Sequence, residues 1–407
     1  MLFTVEKEKI KKLIENICDN DDSVQKYSTP YDLCNKMIQK LQDYKKVRYQ
    51  NKILVMFNLE VVYTLIFVFK IPAKYIYFVS DSEKRNLVAE KVMKISVFKC
   101  VIKQKPLRII LKIKEDDMDM KFGYIIGNPP WNMPKNSKKK RGGGNWALWP
   151  KIIEKSLKLL KENGYFCFIH PPAWRNPTHK LWEMLTRDRQ MIYLHMCNIK
   201  DIKKYFGVGA SADYYIIKNT KPKKSFITHI RDENNNYHDL CLVDKKFLPS
   251  SNIENFENII AKGSEERCKV IYSYSFYETR KRWMADEKEV KTETFRYPCL
   301  HGIKKEKNGG KVIWYSSRND KGHFGESKVI LNDRGILRPV NDFDGKYGMT
   351  QHCFAIKTTS NKESEQIVKA LESDKFQSIT KSCRWTGCEI DFEMFKYFKK
   401  DFWKEFV

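Results

Sequence analysis

Short apolar runs alternate with amphipathic or charged segments along the first half of this 407-residue chain. Such runs are expected to form strands, and four of them precede residue 130: Ile53 to Phe57, Tyr75 to Ser80, Ile109 to Ile113 and Phe122 to Gly127. A helix from Pro150 to Asn163 and a strand from Tyr165 to His170 continue the alternation. This order is typical of a parallel sheet with helices on both faces, whose ligands bind beyond the carboxyl ends of the strands. The sequence therefore predicts a doubly wound, Rossmann-like α/β domain.

Two amphipathic helices are predicted before the first strand. One covers Lys7 to Ile17, and the next starts after Thr29-Pro30 with its apolar residues on one face: Leu33, Met37, Ile38 and Leu41. The apolar run from Ile53 to Phe69 is interrupted by Asn58 and Glu60 and is short for a membrane span. We expect two adjacent buried segments there instead.

The fourth strand runs directly into Asn128-Pro129-Pro130-Trp131. Two consecutive prolines stiffen the backbone and leave its carbonyls free to accept hydrogen bonds. The Asn128 carboxamide oxygen and the Pro129 carbonyl can together accept both hydrogens of an exocyclic amine, while Trp131 stacks on the ring that carries it. This pattern predicts methyl transfer onto a planar amino group and requires a flipped or single-stranded base. The structural alternative is a strand-ending turn over a core tryptophan.

The charge of the chain favours a polyanionic partner. Lysine and arginine number 76 against 50 acidic residues, which gives a formal net charge of +26. Nucleic acid phosphates are the first candidates for such a partner. A compositional bias toward Lys, Asn and Ile is the alternative explanation.

The eleven cysteines are scattered, odd in number and never spaced as Cys-x-x-Cys. They predict a reducing, intracellular and cytoplasmic setting, or a nuclear one in a eukaryote. Cys383, Cys388 and the pair His352-Cys353 match no common zinc spacing, so no metal is predicted. The first twenty residues are charged and helical in pattern, and we expect no signal peptide.

Carboxylates after two of the predicted strands are candidates for holding a nucleoside-bearing cofactor. Asp81 follows the second strand at the position where an acidic residue commonly binds ribose hydroxyls, and Glu83 is a close rival. Asp116 and Asp117 follow the third strand and are candidates for the adenine end. A solvated turn or a helix N-cap is the alternative for each.

The order of these features resembles the γ-type amino-methyltransferases of restriction-modification systems, which methylate adenine N6 in DNA. Members of that family have a Thr-Pro motif before the first strand, as in Tyr27-Ser28-Thr29-Pro30, and Asn-Pro-Pro-aromatic after the fourth. Gly164 to Pro172 and Phe206 to Tyr215 resemble its later motifs. The resemblance implies S-adenosylmethionine as cofactor, contacts to it from Thr29, Pro30 and Phe57, and an aromatic contact from Phe206 to the flipped base.

One motif departs from that family. Where the family has Asp-Pro-Phe-x-Gly-x-Gly, the chain has Phe57 in register but Leu59 and Val61 at the glycine positions. Glycine permits positive φ and a close approach of backbone amides to the cofactor, which β-branched Val61 does not readily allow. A degenerate fold kept as a nucleic-acid-binding subunit is therefore the non-enzymatic alternative.

A flexible cationic loop follows the catalytic motif. Lys138, Lys139, Lys140 and Arg141 precede Gly142-Gly143-Gly144, and we expect them to contact phosphates beside a flipped base. A solvated loop or a nuclear import signal is the alternative. Trp146 and Trp149, which follow, are expected in the core.

Beyond residue 219 the alternation weakens into Lys221-Pro-Lys-Lys and an Asn-rich stretch, residues 232–236, which we interpret as a linker or insertion. We therefore expect a methyltransferase domain over 1–225 and an α+β target-recognition domain over 226–407, with strands near 312–316 and 328–331 and a helix from Lys362 to Ser373. The stretch Asp344 to Thr350 resembles part of the family's target-recognition region. Basic side chains flank turns in this domain and are candidates for base or phosphate contacts: Arg318, Arg334, Arg338 and Lys346.

Together these features predict an adenine-N6 DNA methyltransferase that uses S-adenosylmethionine and double-stranded DNA. Methylation of RNA or cap adenine is one alternative, which dependence on the 2′-hydroxyl would reveal. Glutamine methylation on a protein uses the same motif but fits the basic charge and the large C-terminal domain less well. The inactive binding subunit is the remaining alternative.

Overall fold

A computed structural model of the chain describes residues 2–19, 29–45, 51–80, 82–97, 100–105, 108–113, 120–132, 147–273, 275–303, 310–385 and 389–407. The chain divides into two compact units. Unit 1 comprises Met1–Trp174 and Lys180–Lys245, and unit 2 comprises Arg175–His179 and Lys246–Val407.

Unit 1 is an α/β unit. Its helices are α1 (Leu2–Asp19), α2 (Tyr31–Tyr44), α3 (Leu59–Tyr63), α4 (Glu83–Leu87), α5 (Trp149–Lys158), α6 (Leu181–Thr186) and α7 (Ile199–Phe206). Its strands are β1 (Ile53–Met56), β2 (Ile76–Val79), β3 (Ser96–Val97), β4 (Cys100–Lys105), β5 (Arg108–Ile113), β6 (Phe122–Gly127), β7 (Leu160–His170), β8 (Gln190–Cys197), β9 (Ala212–Lys218), β10 (Ile227–Arg231) and β11 (Tyr237–Cys241). Single π-helical turns extend α3 over Thr64–Val68 and α4 over Val88–Val92, and 3₁₀ turns cover Ala73–Tyr75 and Pro172–Arg175.

Nine strands of unit 1 form one sheet in the order β11-β10-β8-β9-β7-β6-β1-β2-β3. The strands from β7 to β3 in this order are parallel, and β9 is antiparallel to both of its neighbours. The winding direction reverses between β1 and β6, which is the switch point where ligands bind in doubly wound folds. The predicted Rossmann-like α/β fold is confirmed.

The burial of the central strands explains their uniformly apolar sequences. Every residue of β1 and of β6 is buried, as expected for a parallel sheet covered on both faces. α2 begins after Pro30 and buries its predicted apolar face: Leu33, Met37, Ile38 and Leu41, together with Cys34. The run from Ile53 to Phe69 forms β1 and then α3 with its π turn, so the prediction of two buried segments is confirmed. Within the described residues, no helix is both long and apolar enough to cross a membrane.

One predicted strand of the parallel sheet is wrong. The run at Ile109 to Ile113 belongs to β5, which pairs antiparallel with β4 in a separate two-stranded sheet. Only two residues connect β4 to β5, and a parallel pairing needs a crossover of a dozen residues or more. The short β3 occupies the outer position beside β2 instead.

Two further predictions require correction. α5 ends at Lys158 rather than Asn163, because β7 begins at Leu160 and pairs with β6. The Asn-rich stretch is not a linker but the turn of the hairpin between β10 and β11. The Asp232 carboxylate accepts hydrogen bonds from the backbone N–H groups of Asn234 and Asn236 in that turn, and Asn235 has φ +69°. The sheet therefore extends beyond residue 225, and the first unit runs to Lys245.

Unit 2 has an α+β composition. Its helices are α8 (Ile253–Ile259), α9 (Asn361–Glu372) and α10 (Asp374–Ser382), and its strands are β12 (Val270–Tyr272), β13 (Tyr297–Ile303), β14 (Lys311–Ser316), β15 (Lys328–Asn332), β16 (Pro339–Asp342), β17 (Gly348–Met349) and β18 (Cys353–Lys357). They form the sheets β12-β18-β15-β16 and β14-β13-β17. Two 3₁₀ turns cover Phe392–Tyr397 and Phe402–Glu405. The strands predicted near 312 and 328 and the helix predicted from Lys362 are present.

Candidate functional site

The carboxyl ends of β1 and β6 meet at the switch point of the sheet. Met56 pairs with Gly127 in parallel register, so the residues that follow the two strands lie side by side. A Cβ atom on Gly127 would lie 2.6 Å from the Met56 carbonyl oxygen. Only glycine allows the two backbones to approach this closely immediately before Asn128.

Four side chains at this point form one hydrogen-bond network: those of Thr29, Asn58, Asn128 and Trp131. The Thr29 hydroxyl oxygen accepts from Asn58 Nδ2 at 2.8 Å and from Asn128 Nδ2 at 3.2 Å. Asn58 Oδ1 accepts from the Asn128 backbone N–H at 2.7 Å, and the Trp131 indole N–H donates to Asn128 Oδ1 at 3.0 Å. Thr29, Asn58 and Asn128 are buried, whereas Trp131 is half-buried.

Donor-only groups fix the orientation of both amides in the network. The indole N–H can only donate, so the Asn128 atom facing it is the carboxamide oxygen. The backbone N–H of Asn128 can likewise only donate, so the Asn58 atom facing it is also an oxygen. Both amide nitrogens then face Thr29, whose hydroxyl oxygen has two lone pairs to accept them. The Asn128 oxygen is thereby held toward Trp131 with a second lone pair available.

Trp131 lies at the edge of this network, and its backbone is tied to the start of α5. Its carbonyl accepts from the Leu148 N–H at 3.0 Å, and Asn132 forms a β-bridge with Ala147. The indole packs against Phe206 in an edge-to-face contact, with ring centroids 5.8 Å apart and an interplanar angle of 62°. The structure therefore places Phe206 beside the Asn128–Trp131 motif, as predicted. Its side chain is buried, with 8% exposed. Pro129 and Pro130 are buried, and Pro30 is the half-buried N-cap residue of α2.

The turn after β1 explains how the chain does without the expected glycines. Phe57 has φ +72°, an unusual value for a bulky residue, and it ends the strand. Its carbonyl accepts from Arg85 Nη1 at 2.9 Å, and its N–H donates to the Val79 carbonyl at 2.8 Å. Leu59 and Val61 already belong to α3 and are buried in the core. The sharp turn therefore lies at Phe57, two residues before the first expected glycine.

Several predicted site residues lie outside the described residues. Asp81, the pair Asp116 and Asp117, and the cationic residues from Lys138 to Arg141 are among them, as is Trp146. Glu83, the alternative ribose contact, is exposed in the first turn of α4. Trp149 is buried, as predicted for a core residue, and stacks on His170 with ring centroids 4.3 Å apart. No group of His, Cys, Asp and Glu among the described residues is arranged to hold a metal ion.

Asn58 is the site residue that the sequence did not single out. It appeared there only as a polar interruption of an apolar run. The available signal was its position, two residues after the end of β1, which is the neighbour of the strand that ends directly before Asn128. Polar residues at adjacent strand ends of a doubly wound sheet meet at the ligand-binding edge.

The solved structures that match this chain include proteins of restriction-modification systems. LlaBIII, described as an ATP-dependent type ISP restriction-modification enzyme bound to DNA, aligns with 90% of this chain and 38% of its own, at 10% identity and a TM-score of 0.45. A modification subunit attributed to a type I restriction enzyme from Vibrio vulnificus covers 56% of this chain and 51% of its own, at 8% identity and a TM-score of 0.39. A type I restriction-modification methyltransferase subunit from Streptococcus thermophilus aligns with 51% of this chain and 47% of its own, at 12% identity and a TM-score of 0.33. The chain thus spans about half or less of these proteins.

Sequence comparison connects the first half of the chain to one family. No curated protein is a significant sequence match. Residues 4–202 match the family model described as Eco57I restriction-modification methylase, and this range contains the whole Thr29–Asn58–Asn128–Trp131 network. The predicted resemblance to the methyltransferases of restriction-modification systems is thereby confirmed for residues 4–202, which are similar to the Eco57I restriction-modification methylases and make up just under half of the chain.

Proposed function

We propose that this chain transfers a methyl group from S-adenosylmethionine to the N6 atom of adenine in DNA. The observation that carries the proposal is the network that holds the Asn128 oxygen toward Trp131 at the switch point of the sheet. A restriction-modification methylase match over the same residues supports methyl transfer as the reaction class. The net charge of +26 supports a nucleic acid substrate.

Asn128 and Pro129 would act on the amine that receives the methyl group. The unused lone pair of Asn128 Oδ1 and the Pro129 carbonyl accept its two hydrogens, which favours the tetrahedral nitrogen that forms during attack. Trp131 stacks on the base, and Phe206, packed against the indole, supports that ring. The proton leaves the cationic amine after attack, so no general base is needed beforehand.

S-adenosylmethionine, when bound, supplies the electrophilic methyl group on a sulfonium. The left-handed Phe57 fits such a group, because it produces at the end of β1 the sharp turn that the family obtains from glycine. Leu59 and Val61 are buried in the core and so do not fill the space beyond that turn. We propose that Thr29, Pro30 and Phe57 lie beside the cofactor. Asp81 is proposed at its ribose, and Asp116 or Asp117 at its adenine.

Unit 2 is proposed to recognise the DNA target. Arg318 is exposed, and its guanidinium lies over the rings of Phe276 and Trp283, at 5.5 and 5.6 Å from their centroids. Lys346 is exposed beside Tyr347. Cations over aromatic rings form a surface that can contact both phosphates and bases. Arg334, paired with Glu389, and half-buried Arg338 are the other candidates.

The test measures the transfer of a radiolabelled methyl group from S-adenosylmethionine to DNA and, separately, to RNA of mixed sequence. We expect label in DNA, and a decrease of about 10²–10³-fold for Asn128→Ala, the typical loss when one positioned transition-state hydrogen bond is removed. Asn132→Ala is the matched control, because Asn132 is exposed in the same loop and lies outside the network. Label in RNA alone would favour the RNA alternative. DNA binding without transfer to either polymer would favour the inactive subunit.

A further inference from the structure

Unit 1 also contains a cavity that is separate from the Thr29–Asn58–Asn128–Trp131 network. It measures about 780 Å³ and is lined by α2, β8 and α7, together with the end of β10 and the hairpin that follows. Thr29, Asn58, Asn128 and Trp131 are not among its lining residues. A volume of this size is within the range of small-molecule sites.

His195 lines this cavity from β8. Its side chain is only 9% exposed, and neither ring nitrogen has a hydrogen-bond partner among the residues that the structure describes. Burial, reinforced by the nearby cations Arg231, Lys36 and Lys40, lowers the pKa of His195 to about 3. The imidazole is therefore neutral at physiological pH and offers one N–H donor to a ligand. A buried polar group without a protein partner is costly unless a ligand or water completes it.

Three cations lie near His195, and two of them are paired with carboxylates. Lys36, Lys40 and Arg231 line the cavity, against the carboxylates Asp43 and Asp201. Lys36 donates to Asp32 and to the Tyr205 hydroxyl, at 2.8 and 2.9 Å. Lys40 lies 4.7 Å from the centroid of the Tyr193 ring and 3.8 Å from Asp43. The Arg231 Nε atom has no hydrogen-bond partner within the described part of the chain.

Aromatic side chains form much of the remaining wall. Tyr193, Tyr205, Tyr214 and Tyr237 all line the cavity, and the Tyr214 ring lies 4.8 Å from that of His195. Burial raises the pKa of Tyr193 to about 12, so its hydroxyl remains a donor at neutral pH. Planar rings beside cationic donors suit a ligand with a flat base and a phosphate.

We propose that this cavity binds a small phosphate-bearing ligand of nucleotide size, with the phosphate held by His195 and Arg231 and the base against the tyrosine rings. His195 is nearly enclosed, which suits a free nucleotide better than the phosphate of a DNA backbone. The site is distinct from the methyl-transfer site and does not depend on the function proposed for it. A nucleotide bound here contacts α2, whose N-terminal end adjoins Thr29.

Isothermal titration calorimetry on the full chain tests the proposal. The probes are the common 5′-mononucleotides, their nucleosides and inorganic phosphate, with saturating S-adenosylhomocysteine present to occupy the proposed adenosine site. We expect at least one mononucleotide to bind, its nucleoside to bind at least about tenfold more weakly, and phosphate to compete. His195→Gln and Arg231→Gln are each expected to weaken binding at least about tenfold, and Arg231→Lys less. His229→Gln, a change at an exposed histidine of β10, is the matched control.

Three results would overturn the proposal: no mononucleotide binds, nucleosides bind as tightly as nucleotides, or both variants bind like the unchanged protein. A short DNA duplex is the fourth probe in the calorimetry. If only the duplex binds, and His195→Gln weakens that binding, the phosphate comes from the DNA backbone and the small-ligand assignment is wrong. Thermal unfolding of each variant identifies any loss that arises from misfolding.

Discussion

Asn128 makes three hydrogen bonds within the protein, through its backbone N–H, its amide nitrogen and its amide oxygen. Two of these bonds are made to Asn58 and Thr29. Neither of these residues is proposed to contact the amine that receives the methyl group. Such residues would set the direction of the carboxamide oxygen. Removing one leaves a buried amide unpaired, at a cost of about 1–3 kcal/mol.

Thr29→Val tests this positioning role. Valine has nearly the same shape but no acceptor for Asn58 Nδ2 or Asn128 Nδ2. We expect kcat to fall about 5- to 150-fold, the equivalent of 1–3 kcal/mol, in addition to any rise in the KM for S-adenosylmethionine from the proposed cofactor contact. Thr29→Ser, which keeps the hydroxyl, is the control and should retain most activity. A rise in the cofactor KM alone, at unchanged kcat, would limit Thr29 to the proposed cofactor contact and contradict its role in positioning Asn128.

His195 predicts a pH dependence of stability. Its pKa is about 3 in the folded chain, against an ordinary value of 6.5, so the unfolded chain binds a proton first as the pH falls. Above pH 6.5 the histidine is neutral in both the folded and the unfolded chain, so its protonation does not change the free energy of unfolding there. Below that pH, the free energy of unfolding decreases by up to about 1.4 kcal/mol per pH unit until the folded form is protonated as well. Thermal unfolding at pH 7 and pH 5 should show a smaller decrease for His195→Gln than for the unchanged protein or for His229→Gln. If all three proteins lost the same stability between pH 7 and pH 5, the lowered pKa of His195 would be contradicted.

The sequence predicted the reacting motif at this scale but not its supporting residues. Asn128 and Trp131 belong to a contiguous pattern, whereas Asn58 lies seventy residues away and reaches Asn128 only through strand register. Contacts set by register are not encoded in local spacing. The positive φ of Phe57 could likewise not be predicted from its residue type, because bulky residues rarely adopt the left-handed conformation.

Helix α3 follows β1 and begins at Leu59, one of the two positions where the family has glycine. Glycine at Leu59 would restore the family pattern, but this side chain is fully buried on α3. We expect Leu59→Gly to lower the free energy of unfolding by about 3–6 kcal/mol, from the loss of core packing and of helix propensity, without improving cofactor affinity. Val68→Gly, at an exposed position in the π turn after α3, should cost only about 1 kcal/mol. Chemical denaturation measures both. Tighter cofactor binding by a stable Leu59→Gly protein would show that the turn at Phe57 does not replace the glycines.

Elements were predictable where local pattern and tertiary context agree. The buried strands β1, β2 and β6, the amphipathic helix α2 and the capped helix α9 have strong patterns of their own. β5 has an equally apolar sequence, yet the two-residue connection to β4 places it in an antiparallel pair. The Asn-rich turn before β11 resembles a linker in composition, and only its partner strand makes it a hairpin.

At the scale of the whole molecule, the charge of +26 predicts salt-sensitive DNA binding. Each phosphate contact adds about 0.9 to the slope of log K against log salt. Replacing Lys138, Lys139, Lys140 and Arg141 with Gln should therefore lower that slope by about 3–4. The same change at four exposed lysines outside the loop removes equal charge and should alter the slope less: Lys9, Lys12, Lys84 and Lys91. Equal effects of the two sets, by fluorescence anisotropy at several salt concentrations, would remove the loop from the binding surface.

The most direct measurement is the identity of the methylated base. Duplex DNA of mixed sequence is incubated with the full chain and S-adenosylmethionine, digested to nucleosides and analysed by mass spectrometry, with Asn128→Ala alongside. We predict N6-methyladenine in the DNA and its near-complete loss in the variant. Methylated cytosine in place of methylated adenine, or an unchanged yield from Asn128→Ala, would contradict the proposal that the Asn128 oxygen and Trp131 position an adenine amine for methyl transfer.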